Sequence, residues 1–156
     1  MGRLDHIARA AGAGLAVISL SAASAPAQQA EPKIIMPGSL KLNPSPTGGG
    51  VLSAGAVGNP AQGGAIYAVY VKYPAGAKSF PHTHPDQRVF TVISGTFYAG
   101  TGAEFDEKTL VQLKPGTIMI MPANVVHYAW AKDGDVIVQE IGVGPSGTKL
   151  WPQGPK

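Results

Sequence analysis

The pattern of apolar and polar positions changes character twice along this chain. From Ala10 to Ala23 the residues are apolar or small with no alternation. From Gln28 to Gly50 proline, glycine and serine interrupt every run. Only Ile34-Ile35-Met36 there has the makings of a strand, at an edge, because Pro44 and Pro46 exclude a central one. Beyond Gly58-Asn59-Pro60, read as a turn, short β-branched and aromatic runs take over. They cover Ala65–Tyr73, Val89–Ile93, Thr96–Ala99, Leu110–Leu113, Thr117–Met121, Val125–Ala131 and Val136–Val143. Pro74-Ala75-Gly76, Ser94-Gly95, Lys114-Pro115-Gly116 and Asp133-Gly134 separate them, with Ser94-Gly95 reading as a hairpin between its flanks. No amphipathic helical period appears after residue 30. Short strands at near-regular spacing predict an all-β, antiparallel sandwich or barrel.

The N-terminal pattern has its own meaning. Arg3 and Arg9 precede the apolar stretch and Ala25-Pro26-Ala27 follows it, the layout of a secretory signal over residues 1–27. The stretch falls short of the ~20 residues that span a bilayer, so no stable membrane anchor is expected after processing. A periplasmic or secreted location follows. Residues 28–50 are expected to form an arm over the domain with Gly48-Gly49-Gly50 as a flexible joint, residues 51–145 the barrel, and residues 146–156 an irregular tail that Trp151 pins by burial.

Composition narrows the function classes. Charged residues make up 13% of the 156-residue chain, about half the usual share. The net charge of +3 is scattered, so no basic patch for nucleic acid is present. There are no cysteines, which excludes disulfides, thiolate metal ligands, thiol nucleophiles and a lipidated cysteine.

The candidate chemistry lies in the histidines. His6 belongs to the leader, which leaves His82, His84 and His127 to the rest of the chain. In an extended strand His82 and His84 share a face, and Pro81 and Pro85 restrict the backbone on either side. His127 lies at the end of a Gly116- and Pro122-bounded segment. Three imidazoles on neighbouring strands can hold a divalent ion such as Fe, Zn, Ni or Cu and leave other positions open. Tyr128 and Trp130 alternate against His127 and should face away from it, towards a partner subunit, whereas Ala129 and Ala131 share its face and leave room. Of Gln139 and Glu140, adjacent on one strand, only one can approach the interior.

These residues carry a resemblance. The two stretches resemble the two motifs of the cupin superfamily, G-x5-H-x-H-x3/4-E-x6-G and G-x5-P-x-G-x2-H-x3-N. Gly76, His82, His84 and Gly95 match the first, and Gly116, Pro122 and His127 the second. The resemblance spans roughly residues 60–147 and is similar to small secreted bacterial cupins. It implies a double-stranded β-helix, the cupin jelly-roll barrel, a metal site built on the three histidines and pairing into a homodimer.

Where the first motif has Glu, this chain has Arg88, and in the related H-P-D-E-R-V pattern the acid's place is taken by Gln87. Asn124 replaces the second motif's glycine and Ala131 its Asn. Without a carboxylate, three neutral imidazoles leave a divalent ion its full charge, and a nearby arginine would raise the potential further. The expected ligand is a small anionic organic molecule. Gln87 offers a neutral oxygen as an additional ligand, and Asp86 either fills the vacancy or holds a histidine N–H. Arg88 and Gln87 are the candidates for a catalytic role, against a surface or interface ion pair for Arg88. The leading activity is that of a metal-dependent, dioxygenase-type oxidoreductase. The alternatives are a non-catalytic binding protein and a decayed, structural site.

Overall fold

The structure, a computed structural model, describes residues 31–152. The signal-like segment and its cleavage pattern lie outside the described residues. From Ile34 onward the described residues form one compact unit. Its strands are β1 (Asn43–Pro44), β2 (Leu52–Val57), β3 (Ile66–Tyr73), β4 (Lys78–Thr83), β5 (Arg88–Ser94), β6 (Phe97–Thr101), β7 (Val111–Leu113), β8 (Ile118–Met121), β9 (His127–Trp130), β10 (Val136–Val143) and β11 (Lys149–Leu150). Among the described residues no helix is long and apolar enough to cross a membrane.

Two antiparallel sheets divide these strands. One runs β1-β2-β3-β10-β5-β8 and the other β11-β4-β9-β6-β7. The expected double-stranded β-helix is what the chain adopts. β10 is the organising strand, paired with β3 on one side and β5 on the other. Its Val136 and Val138 point inward and join Val51, Val71, Phe90, Val92 and Phe97 in the core. Small inward residues, Ala99, Ala129 and Ala131, line the facing sheet and are all buried. The opposite face of the first sheet is apolar and open, with Ile66, Ile118, Ile120 and Val143 exposed.

Several local expectations change. Ser94-Gly95 is not a hairpin: β5 and β6 lie in different sheets, and the turn carries the chain across between them. Gly95 adopts φ 78°, and a β-carbon there would collide with the Asp135 carbonyl. Ile34–Met36 forms no strand, and Ile34 is 83% exposed. Low β-propensity in L-S-A-G-A-V hid β2, which pairs with β3 along its length.

The triple glycine is a locked turn rather than a joint. Ser45 and Val51 close it through Ser45 N–H to Val51 O, 2.8 Å, and the Lys78 N–H donates to Gly49 O, 3.1 Å. At Gly49 any side chain would run into the Lys78 carbonyl. Tyr128 does turn away from His127, but this chain's own loop covers it: its ring packs on Phe105, centroids 4.9 Å apart, and its hydroxyl meets Thr109 Oγ1 at 2.9 Å. The tail is not irregular throughout, because Lys149 and Leu150 pair with Thr83 and His82. Trp151 remains 40% exposed and is tied down through its backbone, its N–H donating to Pro81 O.

Candidate metal centre

β4 delivers His82, and His84 follows directly after its last residue, Thr83; β9 begins with His127, which lies opposite His82 in the register. All three side chains are buried. Their potential ligand atoms lie within 4.8 Å of one another, and the ring centroids are 4.9, 4.3 and 5.2 Å apart. Asn124 explains one departure from the second motif. It sits at φ 62°, a left-handed conformation that asparagine tolerates better than most residues. From there its N–H donates to the His84 carbonyl at 2.8 Å, joining the two histidine segments.

Each imidazole is locked in the same tautomer. His82 Nδ1 lies 2.6 Å from Phe80 O, His84 Nδ1 2.6 Å from Gly147 O, and His127 Nδ1 2.9 Å from Val125 O. A carbonyl can only accept, so each Nδ1 carries the proton and each Nε2 keeps its lone pair. The carbonyl of Phe80 is available because the β4–β9 register slips between Ser79 and His82. Burial disfavours the imidazolium forms. It pushes His82 down to about 4, helped by the neighbouring His127, and His84 down to about 3, with Arg88 as the next cause. His127 is lowered chiefly by the same burial.

The fit to a metal rests on His127 Nε2, which is fully buried with no hydrogen-bond partner. An orphaned buried acceptor costs ~1–3 kcal/mol. A cation between three converging lone pairs removes that cost, and an all-nitrogen neutral donor set suits Zn, Fe, Cu or Ni. The three buried histidines can hold a metal ion.

The other candidates sort differently. Gln87 is exposed and lines an outer groove of about 620 Å³ with Ile66, Val89, Ile141 and Pro145; it is not brought to the histidines. Arg88 points inward, only 7% exposed, so it is not a surface ion pair. Its Nη1 donates to Glu140 Oε2 at 2.7 Å and its Nη2 to Ser146 Oγ at 2.6 Å, while Nε lies 3.6 Å from Asp86 Oδ1. Asp86 neither fills the ligand vacancy nor holds a histidine; it accepts from the hydroxyls of Tyr67 and Ser146. The Arg88 charge therefore faces two carboxylates, and the part of its field they leave still reaches the histidines and helps to lower His84.

Glu140, not Gln139, is the residue that turns inward. Burial raises its pKa, and Arg88 opposes that shift. With His84, Arg88, Tyr73, Thr47 and Thr148 it lines a cavity of about 210 Å³. Strand parity had narrowed this choice to two residues. Ser146 and Gly147 carried no sequence signal, because their partners lie 58 to 63 residues away.

A family model for a cupin domain matches residues 69–141. No protein with a curated description matches the sequence. Among solved structures, the polyketide cyclase RemF from Streptomyces resistomycificus is similar at a TM-score of 0.66 and 11% identity, over 80% of this chain and 88% of that one. A conserved protein with a double-stranded β-helix domain from Klebsiella pneumoniae is similar at 0.61 and 23% identity, over 79% and 100%. KdgF from a Halomonas species is similar at 0.55 and 21% identity, over 72% and 94%. At these identities the likeness is one of fold.

Proposed function

The chain belongs to the cupin superfamily, and from that premise we propose that it binds a divalent metal ion through His82, His84 and His127 and a small anionic organic molecule at that ion. The observation that carries the reading is the shared tautomer: three Nδ1–H groups bonded to carbonyls, three Nε2 lone pairs left to converge. A bound divalent ion supplies Lewis acidity and open positions for a ligand. The protein's own residues do the rest. The backbone carbonyls aim the imidazoles, the apolar barrel excludes water, and the Arg88–Glu140 pair walls the adjoining cavity. With neutral ligands the ion keeps its whole charge, which is what draws an anion.

The catalytic form of this reading is a dioxygenase-type oxidoreductase, in which the site positions its substrate. The test is metal content of protein purified from its native source, set against the triple histidine-to-alanine variant. It is followed by oxygen uptake of iron-loaded protein with diketone, thiol and phenolic substrates. One equivalent of metal in the wild type and none in the variant is the expected result. No metal in either overturns the reading in favour of a structural, decayed site. Metal with ligand-dependent thermal stabilisation but no turnover leaves a non-catalytic binding protein.

The signal-like pattern over residues 1–27 supports export to the periplasm or beyond. Intact mass of the protein from cell fractions checks it, with a start near Gln28 in the exported pool expected and a full-length cytoplasmic chain contradicting it.

A further inference from the structure

We propose that the segment Gly144 to Leu150 is a working part of the metal centre, with Arg88, Asp86 and Ser146 as positioning residues that fix His84 through the Gly147 carbonyl. The inference rests on the metal-binding reading above. The segment leaves β10 in one sheet and ends as β11 beside β4 in the other, so it is a strap across one end of the barrel. Backbone bonds anchor it on both sides: Gly144 N–H to Ala65 O at 2.9 Å and Ser146 N–H to Pro60 O at 2.7 Å before Gly147, and the β11–β4 pairing after it.

At Gly147 itself the anchoring changes kind. Among the described residues its carbonyl accepts from no backbone N–H. It accepts from His84 Nδ1 at 2.6 Å and from Arg88 Nη2 at 3.4 Å. That same Nη2 holds Ser146 Oγ at 2.6 Å, and the Ser146 hydroxyl donates to Asp86. Asp86 takes the Tyr67 hydroxyl on its other oxygen. Gly142 makes the room: a β-carbon there would overlap the Tyr67 hydroxyl and stand 2.6 Å from Asp86 Oδ2. The result is a part-buried chain of bonds running from Tyr67 through Asp86, Ser146 and Arg88 to the carbonyl that sets the ring of His84.

Side-chain bonds from a guanidinium are directional, because its N–H fork is planar. Arg88 spends that fork on two successive strap residues and on Glu140 at once. The arginine standing where the family motif has a carboxylate thus acts on the site at one remove. It holds the acceptor for a ligand's distal N–H, the kind of outer contact whose loss weakens metal binding about 10–100-fold.

The experiment reads His84 directly. Imidazole ¹H–¹⁵N correlation spectra of the metal-free protein are expected to show all three histidines as Nδ1–H tautomers. In Ser146→Ala, His84 alone is expected to become a mixture while His82 and His127 stay unchanged. Titration with Co(II) is expected to show about a tenfold loss of affinity and a shifted visible spectrum, both restored in Ser146→Thr. Should Ser146→Ala fail to fold, Arg88→Lys keeps a cation for Glu140 but loses the fork, and the same His84 signal is read. A His84 that keeps a single Nδ1–H tautomer in the folded variant overturns the proposal whatever the affinity. If the wild type takes up no Co(II), the metal-binding reading falls, and the tautomer still decides this one.

Discussion

His82 and His127 are held by their immediate surroundings, each donating to the carbonyl two residues before it. His84 is held from 63 residues away, by a carbonyl whose own place depends on buried charge. The three rings converge on one spot, yet two are set by local backbone shape and one by tertiary structure. Local locks of this kind form whenever the segment takes its extended, bulged conformation. The distant lock forms only when both sheets and the strap are in place. One ligand of the three therefore reports on the integrity of the whole fold, and it is the one to attack.

The largest effect is expected from removing the charge behind the distant lock. Arg88→Met leaves Glu140 and Asp86 buried without their cation and should cost about 3–5 kcal/mol in urea unfolding. Adding Glu140→Leu should recover much of that, since apolar replacements of buried pairs are often tolerated. A single variant as stable as the wild type would mean that the pair does not matter to the strap.

Next comes acid. Without a metal, burial holds His82 down to about 4 and His84 down to about 3, against about 6.5 in an unfolded chain. Between these values the unfolded state binds more protons. Stability should therefore fall by a few kcal/mol as pH drops from about 6.5 towards 4. The triple histidine-to-alanine variant should be nearly flat across that window, and His84→Ala should lie between. Unfolding curves at several pH values decide it, and parallel profiles for all three proteins would refute the account of buried neutral imidazoles.

The smallest effect should come from the local side. Pro81→Ala leaves the Phe80 carbonyl in place, because the Phe80 N–H remains bonded to Thr47 O at 3.0 Å. Co(II) affinity should stay within about threefold of wild type, well short of the loss expected when an outer contact is broken. A tenfold loss would show that the proline, not the bulge, sets His82.

This division also marks what could be read from the sequence. The β-branched runs announced β3, β5, β8, β9 and β10, and the spacing of His82, His84 and His127 announced their convergence. Both signals are local. β2 was hidden by small residues and β11 by its brevity, and each exists because a neighbouring strand pairs with it. Pro85 and Asp86 interrupt the alternation after His84, so the sequence left the direction of Arg88 open; pairing of Arg88 with Gly142 and Met121 turns it inward. The anionic preference rests mainly on the neutral imidazoles, because Glu140 and Asp86 offset part of the guanidinium charge that also reaches His84. Glu140 lies 52 residues from Arg88, and no local pattern encodes a partner at that separation.

The strap also sets the order in which the site can be completed during synthesis. Its carbonyl belongs to Gly147, which is made 63 residues after His84. A nascent chain that has already made His82, His84 and His127 still lacks the acceptor that orients the middle ligand. Two rings can be set early, but the third waits for the strap to be made and folded back across the barrel. Until then the three rings cannot all be set at once.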